Sequence, residues 1–409
     1  VTDKAVSVSN LWRERSRIVL EVAVCSVAAL AFAAMALGIL ALLLTGNHPG
    51  GRDFVAYWVA GHQIVHHANP YDSATVFALE RSVGFPAESN PLLMRNPPSA
   101  LPLVMPLGFL SLRAASLLWS LLLIAAFAGS VHMLRVLLGC RAGRLQWLGY
   151  SFGPALACIF SGQTGLFCLL GLVVFLRLHR TRPFAAGAAL WFCALKPHLF
   201  LPFGVVLLAW IVLDRSYGVF AGAAASMCAS SALIWSLDPA AWSQYRSMMQ
   251  SSWLDREFIP CLGVALRFLI RPQAMWIEYL PAAAGCVWAV FYYARNRIAW
   301  DWLQHGALLM LVSIFVTPYA WLSDQSLLIP ALLLGAYRAT SRWQIGLLLA
   351  ATAAIEVQLL SGVTVHSPQF LWTAPLWLTW YLYVTASAPA SKLPRTVTPA
   401  AASAQPASL

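Results

Sequence analysis

The chain has 409 residues, of which 60 % are hydrophobic and only 10 % charged, and it carries a formal net charge of +11. Repeated apolar blocks near 20 residues match the span of a lipid hydrocarbon core by a helix, and they are too evenly apolar for barrel strands, which alternate. Lys and Arg fall mainly between those blocks, as membrane topology requires, so the positive charge is no sign of nucleic-acid binding. The composition therefore predicts an all-α, polytopic helical membrane protein.

Residues 1–17 hold Lys4, Arg13, Arg15 and Arg17 and are placed in the cytoplasm. Segment 18–45 is read as the first crossing, retained because no A-x-A-like cleavage signature follows it closely. The polar stretch 46–100 follows on the outer side, with Asp53, Asp72, Glu80 and Glu88. Segment 101–112 is apolar but short and contains Pro102 and Pro106, which predicts a re-entrant or broken half-helix. Further crossings are read at about 114–136, 145–161, 163–178, 183–196, 198–213 and 217–237. A second outer interval, 238–272, contains a short amphipathic helix at Leu262–Ile270, and Asp238, Asp255, Arg256 and Glu257 in it read as solvated charges. Crossings at about 274–294, 303–318, 325–338, 343–361 and 369–386 complete about twelve, in a single domain over 1–386. The tail 387–409 is rich in Ala, Pro, Ser and Thr and is predicted to be disordered. On this plan 17 of the 26 Lys and Arg residues lie inside and 9 outside, which satisfies the positive-inside rule.

The candidate chemistry gathers on the outer side. Asp53 opens a helix in which 53, 57, 60, 61 and 64 share a face, so Tyr57 stands one turn above it. Asp53 is read either as a general base at the water–lipid boundary or as a helix N-cap, and Tyr57 and Trp58 suit the membrane interface. Asp72, after the Asn69-Pro70 turn, reads as a helix cap. His62, His66 and His67 have no acidic partner at metal-ligand spacing, and no metal or other cofactor is expected. Arg95, before Asn96-Pro97-Pro98, is either a phosphate grip or an interfacial arginine. Gln163, in the tight turn SGQTG at 161–165, is a substrate contact or a cap. Lys196, before Pro197 and His198, is an ionisable residue among apolar ones, a functional candidate unless it snorkels to the interface. Asp324, in TPYAWLSDQ at 317–325, is a further acid with N-capping as its alternative. The eight cysteines lie mostly in apolar segments without CxxC spacing and read as buried hydrophobes.

Several of these patterns together resemble glycosyltransferase family 87, integral-membrane enzymes of the GT-C type. The residues are DFVAYWVAGHQI at 53–64, NPYD at 69–72, NPPSALPLVMPLGFL at 96–110, SGQTGLFCLLGL at 161–172, LKPHLFLP at 195–202 and TPYAWLSDQSLLIPALLL at 317–334. The resemblance implies transfer of a sugar, with mannose or another hexose as first guess, from a polyprenyl-phosphate donor to a lipid or glycan acceptor. It places the reaction on the outer face of the cytoplasmic membrane. It implies Asp53 as base, with Lys196, His198 and Arg95 on the donor phosphate and Tyr57, Gln163, Tyr319 and Asp324 on substrate. The sequence departs from the family pattern at Asn96, often Tyr, at His198, often Gln, and at Leu322, often acidic. Two other readings stand beside it: a transporter or flippase for lipid-linked sugars, and a noncatalytic envelope-assembly protein. Against transport, no internal repeat with paired midplane breaks is visible.

Overall fold

The structure, a computed structural model, describes residues 51–82, 84, 91–139, 144–251 and 258–387, with Val19 and Leu37 besides. The first crossing expected at 18–45, the tail, Glu88 and the charged run 255–257 lie outside the described residues. The described elements are helical throughout. In chain order the helices are α1 (Arg52–Val65), α2 (Ser73–Ser82), α3 (Leu101–Val104), α4 (Leu112–Leu137), α5 (Gly153–Ser161), α6 (Gly165–Leu178), α7 (Pro183–Cys193) and α8 (Leu201–Leu213). Then follow α9 (Tyr217–Leu237), α10 (Ala241–Ser251), α11 (Leu262–Ile270), α12 (Leu280–Asn296), α13 (Trp302–Val316), α14 (Ile329–Arg338), α15 (Arg342–Leu360) and α16 (Thr373–Ser387).

Local chemistry explains where the longer helices begin. Ser111 accepts from the Ala114 amide to cap α4, and Asp301 accepts from the Gln304 amide at 3.0 Å to cap α13. Ser341 and Gln344 form a reciprocal capping box at the start of α15, satisfying two amides that otherwise lack partners. The amphipathic helix expected at Leu262–Ile270 is α11, with the same bounds.

Among the described residues, three helices are long and apolar enough to cross a membrane: α4, α9 and α15. Their bounds follow the crossings expected at 114–136, 217–237 and 343–361. Other expected crossings are shorter. Helices α6, α7 and α13 have 14, 11 and 15 residues, so at about 1.5 Å per residue they reach only about 16 to 22 Å. The physical reason is at their ends. Gly162, which caps the end of α5, keeps α6 from starting before Gly165. Pro197 and Pro318 follow the ends of α7 and α13, and Gln163, Lys196 and Thr317 beside them are buried. The expected crossing at 145–161 is divided as well, into a 3-10 turn at Arg144–Ser151 and α5.

Segment 101–112 is broken as the prolines predict. A 3-10 turn at Pro98–Ala100, the four-residue α3 and a second 3-10 turn at Met105–Phe109 follow one another, with Leu101, Val104 and Leu107 buried. Helix α1 crosses this segment at backbone distance. A Cβ added to Gly61 would lie 2.2 Å from the Val104 carbonyl oxygen, and one added to Gly108 would lie 2.3 Å from the Gly61 carbonyl oxygen. No side chain fits between them, so α1 and the broken segment can touch only because both positions are glycine.

Sequence reasoning treated α1 as an amphipathic interfacial helix, and the structure corrects this. Phe54, Val55, Ala56, Tyr57, Val59, Ala60 and Ile64 are all buried. Trp58 is half-buried and donates to the Leu110 carbonyl at 3.1 Å. The helix is enclosed because the broken segment lies on one side and α4 on another.

The glycine contact can be tested directly. Gly61→Ala and Gly108→Ala should each destabilise the protein by about 2–3 kcal/mol, the upper end of overpacking costs, seen as a lowered melting temperature of the detergent-purified protein. Gly204→Ala, whose added Cβ meets nothing within 4 Å, is the control and should leave the melting temperature unchanged or raised.

Candidate functional site

The polar residues singled out in the sequence come from α1 and from separate breaks, and the folded chain brings four of them, Tyr57, Gln163, Lys196 and Asp324, to one place. Gln163 lies in the turn between α5 and α6. There Gly162 adopts φ +78°, and a Cβ on it would stand 2.6 Å from that of Phe54. Glycine is thus required both by the left-handed backbone and by the approach of α1. The Gly162 carbonyl accepts from the Trp119 indole at 2.8 Å, and the Cys158 thiol donates to the Gln163 carbonyl. The turn is held from both sides, which aims the Gln163 side chain.

The Gln163 Oε1 accepts from the Tyr57 hydroxyl at 3.3 Å and from the Lys196 ammonium at 2.7 Å. Lys196 also pairs with Asp324 Oδ1 at 2.7 Å, and Asp324 Oδ2 accepts from the Trp321 amide at 2.9 Å. Lys196 is 6 % exposed and Asp324 is fully buried. Snorkelling is therefore excluded for Lys196. Its charge is already balanced by a carboxylate, which sequence reasoning did not foresee when it set Lys196 against a phosphate. Asp324 is not the N-cap: it stands third in the 3-10 turn Leu322–Leu328, where one oxygen accepts from the Trp321 amide and the other holds the cation.

Asp53 occupies the second position of α1, half-exposed. The N-cap is Gly51, with no side-chain cap, so the capping alternative for Asp53 does not hold. Its charge acts on the Tyr57 hydroxyl together with that of Lys196, which puts it at the edge of the same network.

Around the ion pair lies a ring of groups that face it. The imidazole of His198 meets the Tyr319 ring edge to face at 5.3 Å between centroids, and its Nε2 is buried without a hydrogen-bond partner. The Tyr319 hydroxyl accepts from the Trp321 indole at 2.7 Å and lies within interaction range of the Arg95 guanidinium. Thr317 donates between the carbonyls of His198 and Tyr319, at 3.1 Å from each, tying the last two breaks together. Asn96, which the sequence marked only as a departure, donates its amide to the Leu195 carbonyl at 2.7 Å. It so latches the Pro-Pro strand to the Lys196 break. Trp119, Asn96 and Thr317 were missed because each works through a backbone carbonyl, and no spacing in the sequence announces such a contact.

Other candidates separate from this centre. Asp72 accepts from the Thr75 amide at 2.8 Å and the Thr75 hydroxyl at 2.5 Å, a cap on α2 as expected. These bonds hold its carboxyl below the usual Asp range. His66 stacks on His62 at 4.2 Å and contacts the His62 carbonyl through Nδ1. No group of three or more His, Cys, Asp or Glu that could hold a metal occurs among the described residues. Cys158, Cys168, Cys193 and Cys261 are free and buried, as their apolar surroundings predict, whereas Cys228 is exposed and Cys286 half-buried.

Residues 95–258 match the model of glycosyltransferase family 87. The matched stretch contains Arg95, Gln163, Lys196 and His198, while Asp53, Tyr57, Tyr319 and Asp324 lie outside it. No curated protein and no solved structure matches the chain. The match covers under half of the chain, and the three long apolar helices are consistent with association with a membrane.

Two tests follow from this geometry. Lys196→Met and Asp324→Leu should each lower stability by about 3–5 kcal/mol, because each leaves one buried charge unpaired, whereas the double replacement should recover most of the loss. Thermal unfolding of all four proteins measures this. Asp72→Ala should cost about 1 kcal/mol. Because the folded pKa of Asp72 is lowered, its contribution is complete above the ordinary Asp value of about 3.9 and fades as the pH falls through the lower folded value. The mutant and the parent should therefore converge in stability under acid.

Proposed function

We propose that the chain is a polytopic membrane glycosyltransferase that moves a sugar from a polyprenyl-phosphate donor to a lipid or glycan acceptor. The observation that carries this reading is the bonded network of Tyr57, Gln163, Lys196 and Asp324, with Asp53 at its edge and His198, Tyr319 and Arg95 nearby. The family 87 match over 95–258 supplies the reaction class. In this reading the short helices α6, α7 and α13 belong to crossings whose polar breaks lie inside the hydrocarbon depth. Such breaks are tolerated there because they are enclosed in protein. The chain makes about twelve crossings, and the site faces the outer side of the cytoplasmic membrane.

The chemistry assigns the residues by what they can donate or accept. The Asp53 carboxylate takes the proton from the acceptor hydroxyl. The freed oxygen pair attacks the anomeric carbon, the bond from that carbon to the phosphate oxygen breaks, and polyprenyl phosphate departs with the bonding electrons. One displacement inverts the anomeric centre. Negative charge grows on the phosphate as the bond breaks, and preorganised donors aimed at that charge lower the barrier. In this reading Arg95 and His198, the latter through a protonated Nε2, are the donors that meet this charge. An ammonium has three donors, of which Gln163 and Asp324 take two, so Lys196 offers one more while its charge orders the network. Tyr57, Gln163 and Tyr319 line the sugar, and Asp324 keeps Lys196 in register.

Asp53→Asn removes the base without touching the buried ion pair. Its melting temperature should match the parent, and transfer in proteoliposomes supplied with polyprenyl-phosphate mannose and an envelope lipid extract should fall at least a hundredfold. Release of free polyprenyl phosphate is the readout that separates transfer from transport. Full release by the Asp53→Asn protein would remove the base assignment, and movement of intact donor across the bilayer without release would favour a flippase.

A further inference from the structure

The stretch Arg95-Asn96-Pro97 is held through its carbonyls. Pro97 and Pro98 have no amide hydrogen to give, and the residue before a proline is confined to extended backbone, so no helical ladder fixes this segment. Its three carbonyls are taken one after another instead. That of Arg95 accepts from the Tyr245 hydroxyl at 3.3 Å, that of Asn96 from the Tyr71 hydroxyl at 3.3 Å, and that of Pro97 from the Ala100 amide at 2.8 Å. The Asn96 side chain is spent on the Leu195 carbonyl. Arg95 itself is half-exposed, with its guanidinium in interaction range of the Tyr319 hydroxyl.

The two tyrosines come from different polar intervals, 46–100 and 238–272. Tyr71 belongs to the Asn69-Pro70 turn, where its own amide donates to Asn69 Oδ1 at 2.9 Å, and it is buried. Tyr245 stands on α10, whose inward stripe is Ala241, Tyr245 and Met248 while Trp242, Ser243, Arg246 and Ser247 are exposed. That is the spacing of a helix packed along one face. The rings of Tyr71 and Tyr245 meet at 5.5 Å between centroids. Helix α10 therefore closes on the first interval at the point where Arg95 is set.

The geometry points to Tyr245, together with Tyr71, as a positioning residue for phosphate recognition. The two hydroxyls pin the backbone of Arg95 and Asn96, so that the Arg95 guanidinium meets the phosphate of a polyprenyl-phosphate ligand in one orientation. This rests on the reading of Arg95 as a contact of the donor phosphate. A guanidinium binds phosphate as a planar fork, so its direction matters more than that of a point charge. An arginine on an unpinned strand has to be ordered as the ligand arrives, and that loss of freedom is subtracted from affinity. A hydroxyl that merely enclosed irregular backbone would support the fold and show no preference for phosphate.

The test is binding of decaprenyl phosphate and of uncharged decaprenol to the detergent-purified full chain, read by native mass spectrometry, with melting temperatures alongside. Arg95→Ala should weaken the phosphate at least tenfold, the worth of a charged hydrogen bond, and leave the alcohol within about twofold. Tyr245→Phe keeps the ring and its contact with Tyr71. It should weaken the phosphate about fivefold and again spare the alcohol. Tyr71→Phe should act in the same direction, with a lowered melting temperature because the Asn96 carbonyl is left without its donor. Ser243→Ala, on the exposed face of α10, should bind both ligands like the parent. Placed on Arg95→Ala, Tyr245→Phe should cost less than about twofold more, because the hydroxyl acts through the guanidinium. Equal loss of phosphate and alcohol in Tyr245→Phe, no loss at all, or a full further loss on the Arg95→Ala background overturns the proposal, as does an unaffected Arg95→Ala. A parent that binds decaprenyl phosphate with these dependences yet transfers no sugar supports the positioning role and removes the transferase reading.

Discussion

The buried pair between Lys196 and Asp324 is the contact on which the centre of the molecule depends. Two charges removed from water cost several kcal/mol each unless they meet one another and find their remaining hydrogen bonds. Here they meet at 2.7 Å, with Gln163 on the cation and the Trp321 amide on the anion. The pair lies 128 residues apart in the chain. It closes only if the break after α7 and the break after α13 arrive at the same depth and the same side of the bundle. That requirement draws in the Gln163 turn, and through Gln163 it draws in Tyr57 and α1.

The breaks themselves have a common construction. Each ends a helix at a residue that cannot continue it: Gly162 through its left-handed backbone, Pro197 and Pro318 through their missing amides. Each then exposes backbone carbonyls, and in this protein those carbonyls are used. Trp119 donates to Gly162, Asn96 to Leu195, and Thr317 to His198 and Tyr319. In a chain with so few charged groups, irregular backbone can be enclosed only where such donors satisfy it. The functional candidates and the structural latches are therefore neighbours by necessity. Asp53 differs from them, being half-exposed and outside the ion pair.

Local chemistry made much of this legible. The Asp72 cap, the broken proline segment, the bounds of α11 and of the three long helices, and the free cysteines all follow from rules that act over a few residues. So did the candidates Gln163, Lys196 and Asp324, because a polar residue beside a helix break in an apolar chain is visible without a fold, and Tyr57, which helical spacing sets one turn above Asp53. The enclosure of α1 was not legible. Its alternation of Tyr, Trp and His looks interfacial until Gly61 and Gly108 are seen to admit the broken segment at backbone distance. The partner of Lys196 was equally hidden, because Asp324 looks like a helix N-cap, whereas it stands inside the turn and bonds back to the Trp321 amide.

What the residues by themselves determined was the inventory: which stretches are helical, where they stop, and which polar groups remain at the stops. Propensity, capping and proline geometry act within a turn or two, and the sequence states them directly. Only the tertiary structure decided which stops face one another and that Lys196 spends its charge on a carboxylate. Those outcomes depend on packing between helices far apart in the chain, where a single glycine contact sets the approach and the cost of a lone buried charge selects the partner.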